Sequence, residues 1–87
     1  MEIVLTERAN IDLLFFKKTN NQLVLKKIRQ LFESMLLTPS FGIGKPEKLK
    51  YDLSGKWSRR INSEHRLVYE IDENQNLIIV HSLKGHY

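Results

Sequence analysis

Residue types able to work on a phosphodiester recur through the second half of the chain. Glu47 supplies a carboxylate, His86 an imidazole and Tyr87 a phenol, among cations that include Lys45, Lys50, Arg60, Arg66 and Lys84. Such a set suffices to cleave RNA without a metal. A base takes the ribose 2′-proton, the 2′-oxygen attacks the adjacent phosphorus, cations stabilise the added charge, and an acid protonates the departing 5′-oxygen. In solvent, carboxylates titrate near about 4 and imidazoles near about 6.5. At neutral pH the first type therefore suits a base, and the second is partly available as an acid. Each group would contribute about 10²–10⁴ in rate. Spacing alone leaves a plainer alternative open, since a glutamate among lysines also reads as a solvated ion pair worth little.

Other chemistries find no support. His65, His81 and His86 lack thiolate partners and H-E-x-x-H spacing, so no metal ligand set is expected. No G-x-S-x-G elbow is present. The stretch Gly42-Ile43-Gly44-Lys45-Pro46-Glu47 has no Lys-Ser/Thr pair, and a proline and a strand follow it, so it is no phosphate-cradling loop. No cofactor is expected. The chain has no cysteine, which removes disulfides and fits a cytoplasmic protein. The opening MEIVLTERAN does not read as a signal peptide, and no apolar run approaches the ~20 residues that span a bilayer. A net charge of +4 over 87 residues favours nucleic acid or an acidic protein as partner.

The elements that must position these groups follow from periodicity. One domain, residues 1–87, is expected at this length. A short strand at Glu2–Thr6 leads to a helix capped by Thr6, with Ile11, Leu14, Phe15 and Lys18 at helical spacing. Thr19-Asn20-Asn21-Gln22 fits a capping box for a second helix, whose stripe is Val24, Ile28, Leu31, Phe32 and Met35. After a loop rich in glycine and proline, apolar residues alternate through Leu49–Leu53, Trp57–Ile61 and Leu67–Ile71, and Leu77 to about Leu83 closes the sheet. The expected class is α+β, laid out β-α-α-β-β-β, with two helices packed on a mainly antiparallel sheet.

Register then sorts the cations. Setting Leu49 opposite Ile61, Leu53 opposite Trp57, Ile61 opposite Leu67 and Trp57 opposite Ile71 puts Lys50, Arg60 and Arg66 on the face away from the helices. Arg59 falls on the apolar side and is expected to snorkel at an edge. If Leu77, Ile79 and Leu83 face the helices, Lys84 and His86 join the basic face. A solvated sheet face is the alternative. Trp57 and Tyr69 share parity with the core set and are read as core.

The stretch LSGKWSRRINSEHRLVYEI, with TP before the loop, GKPEKLK at Gly44–Lys50 and a closing His-Tyr, closely resembles the Txe/YoeB family of toxins in the RelE superfamily of messenger-RNA endonucleases. The likeness runs nearly end to end and implies a two-helix, antiparallel-sheet microbial ribonuclease fold. It implies Glu47 as general base, Arg66 as transition-state stabiliser, His86 as general acid and Tyr87 as a further active-site residue. By the same resemblance Lys50 and Arg60 hold the RNA backbone, and Lys45 and Lys84 are added as RNA-binding candidates. Implied partners are messenger RNA and the ribosome at the 16S RNA near the A site, a YefM-type antitoxin and a second copy in a homodimer, with no membrane. His81 has no family role, and a structural one is expected. Two other readings stay open: a superfamily relative that inhibits DNA gyrase without cutting RNA, and a plain RNA-binding module.

Overall fold

The structure is a computed structural model that describes residues 1–85; His86 and Tyr87 lie outside the described residues. Strand β1 (Glu2–Leu5) leads into helix α1 (Glu7–Lys18), then α2 (Gln22–Leu37). Four further strands follow: β2 (Glu47–Lys48), β3 (Trp57–Arg60), β4 (Arg66–Asp72) and β5 (Leu77–Ser82). They form a five-stranded sheet in the order β1-β5-β4-β3-β2, antiparallel except where β1 joins β5. The α+β class with two helices on a mainly antiparallel sheet is as expected, but the layout read from sequence is one strand short. No helix among the described residues is long and apolar enough to cross a membrane.

Thr6 caps α1 as its type demands, its Oγ1 accepting from the Ala9 amide at 3.2 Å. The face that α1 buries is not the expected one. Ala9, Asp12 and Phe16 are buried, whereas Ile11, Leu14 and Phe15 are 58%, 52% and 42% exposed. The segment is apolar nearly all round from Ile11 to Phe16, so period alone cannot choose a face. The choice falls where small Ala9 admits close packing and where the Asp12 carboxylate accepts the Leu83 amide at 2.9 Å. Helix α2 buries Val24, Ile28, Leu31 and Met35 as its period requires. Its cap is Asn21, accepting from the Val24 amide, and Thr19 instead closes α1.

The helices cover Leu67, Tyr69, Ile78, Val80 and Leu83 on one sheet face. Between β3 and β4 the register pairs Trp57 with Tyr69, Arg59 with Leu67 and Arg60 with Arg66. This is shifted by two residues from the expected pairing but keeps its parity, so Arg60 and Arg66 do share the outer face. The shift goes with a tighter turn, in which Asn62 Oδ1 takes the amides of Glu64 and His65 and the Ile61 amide donates to the His65 carbonyl. The expected β2 pairing fails. Glu47 lies opposite Ser58 and Lys48 opposite Trp57, and the chain then leaves the sheet. Tyr51–Leu53 forms a 3₁₀ turn, and the Leu49 amide reaches the Lys56 carbonyl, closing off the excursion. A short alternating run cannot be told from such a turn by period. Tyr51 is 91% exposed.

In β5 it is Ile78 and Val80, not Leu77 and Ile79, that are buried. A bulge corrects the parity further on: Tyr69 pairs with Val80 but Val68 with Ser82, leaving His81 as the extra residue. Leu83 thereby reaches the core as expected. Bulged His81 meets Glu70 Oε1 at 2.8 Å through Nε2, and its carbonyl accepts from Thr6 Oγ1.

Arg59 does not snorkel. It is fully buried, and its guanidinium donates to six neutral oxygens: Tyr69 Oη, Ser34 Oγ and the carbonyls of Thr38, Pro39, Phe41 and Ile43. Tyr69 Oη in turn donates to the Pro39 carbonyl at 2.6 Å. Burial raises the Tyr69 phenol above its usual value of 10.0, with Arg59 pulling the other way. A raised folded-state value means that this stabilisation is complete below the unfolded-state value and is lost as pH climbs through the folded one. Tyr69→Phe should therefore lower stability at neutral pH by about 1–3 kcal/mol. It should also flatten the alkaline loss of stability, as read from denaturant melts between about pH 7 and 11.

Candidate active site

The loop from Thr38 to Pro46 carries the first candidate groups, and Arg59 shapes it. Four of its carbonyls converge on one guanidinium, so the loop wraps an interior cation. Gly44 then passes close to the sheet. Its carbonyl accepts from the Arg60 amide at 2.7 Å. Its φ is +82°, and a Cβ there would stand 2.7 Å from Leu31 Cδ2 and 3.2 Å from the Arg60 carbonyl, so glycine is required twice over. Lys45 follows at φ +51°, a left-handed conformation uncommon outside glycine. Pro46 hands the chain to β2, where Glu47 is exposed on the face away from the helices.

Two rows of side chains cross that face. The first runs Glu47, Ser58, Val68, Ser82 from strand to strand. The next sets Arg60 directly opposite Arg66. Their amides donate outward, Arg60 to Gly44 and Arg66 to Gly85, so the two do not bond to each other. Such non-bonded antiparallel pairs lie about 4.5 Å apart at Cα, the closer of the two kinds. Glu47 is one step along the diagonal from Arg60, at about 7–8 Å. Like charges directly opposite are destabilising in themselves.

A cleft of about 490 Å³ opens over the arginine pair, lined by Lys27, Lys45, Arg60, Asn62, Ser63 and Arg66. Of the residues expected from sequence, it gathers Lys45, Arg60 and Arg66; Glu47 does not line it and stands one diagonal step from Arg60 in the sheet. It adds Lys27, which lies off the apolar stripe of α2. Lys27 stands one helical turn before Leu31, the residue that packs on Gly44, a contact with no trace in the sequence. Lys50 is exposed just past the end of β2 and does not line this cleft, because the strand stops at Lys48. Lys84 also lies elsewhere. Its ammonium sits 4.0 Å above the Phe15 ring of α1. With Arg8, Lys56 and His81 it borders a second cleft of about 180 Å³ beside Val68 and Ser82. The roles expected of His86 and Tyr87 fall outside the described residues, but the residue before them is held tightly. Gly85 accepts from the Arg66 amide at 3.1 Å and donates to His65 Nδ1 at 2.9 Å.

Set against known proteins, this geometry has many counterparts. A family described as the YoeB-like toxin of bacterial type II toxin-antitoxin systems matches residues 5–87. Toxin YoeB of Synechocystis is 51% identical over 87 residues, covering 100% of this chain and 98% of its own. Toxin YoeB of Escherichia coli K12 is 45% identical over 78 residues, 90% of this chain and 92% of its own. Among solved structures, a YoeB/ParE toxin from Agrobacterium tumefaciens superposes with a TM-score of 0.94 at 38% identity, with full coverage of both chains. YoeB in a YoeB-YefM complex from Staphylococcus aureus gives 0.87 at 46% identity, covering 98% of this chain and 95% of that one. A YoeB dimer from the same organism gives 0.88 at 44%, covering 100% and 98%. By sequence, extent and fold, the chain belongs to the YoeB family and is a toxin of a type II toxin-antitoxin system.

Proposed function

We propose that this toxin is a metal-free endoribonuclease that cuts messenger RNA in the ribosomal A site, working as a single domain in the cytoplasm. The observation that carries the reading is the Arg60–Arg66 pair, two like charges held face to face in a cationic cleft with Glu47 on the neighbouring diagonal. An arrangement unfavourable by itself becomes favourable when a phosphate, gaining negative charge in the transition state, sits between the guanidinium groups.

In this reading Glu47 removes the 2′-proton, and the 2′-oxygen attacks the adjacent phosphorus. Arg66, with Arg60, stabilises the phosphorane. The bond to the 5′-oxygen then breaks as His86 delivers a proton to it. Products are a 2′,3′-cyclic phosphate and a 5′-hydroxyl, so no water is consumed in the cleavage. Tyr87 assists at the same site. Lys45 and Lys27 guide the backbone into the cleft, and Lys50 and Lys84 extend the basic surface toward 16S RNA. A YefM-type antitoxin silences the enzyme, in keeping with the YefM complex of its Staphylococcus aureus relative, and free toxin pairs as a homodimer like the solved relative.

Two expected outcomes test this. A translated message should be cut in the presence of chelator, and Glu47→Gln or His86→Ala should each lower the rate by about 10²–10⁴. Unchanged cleavage in both variants would sink the mechanism, and salt-sensitive RNA binding with no product would leave only a binding module. Separately, Arg60→Gln should leave thermal stability equal or a few tenths of a kcal/mol higher at low salt, since it relieves a like-charge pair. The same change should reduce the slope of log affinity against log salt for single-stranded RNA by about 0.7. A clear loss of stability with an unaltered slope would show that Arg60 is a structural residue.

A further inference from the structure

The residue that prepares the segment leaving β5 is His65, and the reaction scheme above gives it no task. Its ring is buried at 7% exposure, edge-on to Phe16 with centroids 5.1 Å apart. Burial against Phe16 would be met as well by an apolar ring. What an apolar ring lacks is the lone pair on Nδ1, which accepts the Gly85 amide at 2.9 Å. That bond requires the imidazole proton to be on Nε2, and Nε2 faces Glu64 Oε1 at 3.6 Å.

The acceptor is held firmly in place. The His65 amide donates to Asn62 Oδ1 at 2.7 Å, and the His65 carbonyl accepts the amides of Ile61 and Asn62 at 3.0 and 3.3 Å. Nor is the grip on Gly85 a single bond. The next residue, Arg66, donates its own amide to the Gly85 carbonyl at 3.1 Å. One dipeptide, His65-Arg66, therefore seizes Gly85 at both its N–H and its C=O. Two residues earlier, the Leu83 amide is tied to buried Asp12 at 2.9 Å. Gly85 takes φ +84°, which L side chains rarely adopt, so this bend is itself built for glycine. The same residue whose side chain lines the cleft thus fixes, through its backbone, the point from which the chain continues.

We propose that His65 is a positioning residue: through Nδ1 it clamps Gly85, and so fixes the point beside Arg66 from which the chain continues. The inference rests on the endonuclease reading, in which the residue after Gly85 is the general acid. The clamp acts on geometry rather than on RNA affinity, and a misplacement of about 1 Å of a reacting group is enough to lose about 10²-fold in rate.

The test compares His65→Phe, which keeps the ring packed on Phe16 without an acceptor, with His65→Asn, whose Oδ1 restores one near the Nδ1 position. The readouts are the saturating cleavage rate and half-saturating concentration on translating ribosomes. A second readout is the NMR scalar coupling across the N–H···N bond from Gly85 to His65 in the intact toxin. Expected are a measurable coupling in wild type, a rate about 10²-fold lower in His65→Phe at unchanged half-saturation, and substantial recovery in His65→Asn. A His65→Phe protein that cuts at the wild-type rate overturns the clamp, as does absence of the coupling in wild type. Equal loss in both variants also overturns it, because the acceptor then does not matter; should His65→Phe fail to fold, the coupling and the rate of His65→Asn decide. A wild-type protein that cuts no RNA would overturn the endonuclease reading and with it the clamp's catalytic purpose. Cleavage lost in His86→Ala but kept in His65→Phe overturns the clamp alone.

Discussion

A guanidinium buried among neutral oxygens organises the half of the molecule that bears the candidate cleft. Moving an ion from water into a protein interior costs several kcal/mol even after relaxation. Arg59 offsets this with bonds to six neutral oxygens, each to a charged donor and so worth about 1.5–3 kcal/mol. The dependence is mutual. The loop from Thr38 to Ile43 turns its carbonyls inward, where no strand or helix can pair them, and buried carbonyls left alone are costly. Neither the cation nor the loop is tolerable without the other. Because Ser34 is on α2 and Tyr69 on β4, the same group joins the helix layer, the loop and the sheet.

From that junction the placement of the cleft follows by short steps. A loop wound on Arg59 brings Gly44 within hydrogen-bonding distance of β3, and Gly44 leaves no room for a side chain there. Lys45 and Glu47 come one and three residues later, so their positions are inherited from the buried arginine rather than set by β2. A strand of two residues could not fix them alone. The opposite wall is made by a different device, the Asn62-stapled turn that presents His65 and Arg66 to Gly85. Two walls, each locked by its own buried polar group, meet across the Arg60–Arg66 row.

Much of this was legible in the sequence, and the failures have physical causes. Helix α2 and strands β3 and β4 were readable because an amphipathic period of 3.6 or 2 has one solution once a face must be buried. The buried faces of α1 and β5 were not, because residues 11–16 and 77–80 are apolar nearly all round. A carboxylate at Asp12 chose the face of one, and a bulge at His81 reset the parity of the other. Lys50, Arg60 and Arg66 were placed on one face; Arg60 and Arg66 do share it, Glu47 joins them through a pairing opposite in parity to the one expected, and Lys50 was lost to a 3₁₀ turn. Lys27 and His65 left no signal, since both act through contacts between segments far apart in the chain. Arg59 was the sharpest failure. An arginine on an apolar strand face is ordinarily read as an edge residue, and only the loop's inward carbonyls, invisible in sequence, make it a core residue.

Arg59 and Arg60 stand side by side in the chain with the same side chain and opposite fates. Strand alternation sends one into a cage of oxygens and sets the other opposite Arg66 on the outer face. A one-residue slip of β3 would exchange them. Arg60 would then have to enter the cage, and Trp57 would leave the core face. The slip is resisted from both edges of the strand, by the Gly44 carbonyl on the Arg60 amide and by the turn stapled at Asn62. Register is therefore more than a matter of stability in this protein. It decides which of two adjacent cations becomes structure and which is left on the surface. The buried one is what makes it affordable to leave the other opposite a like charge.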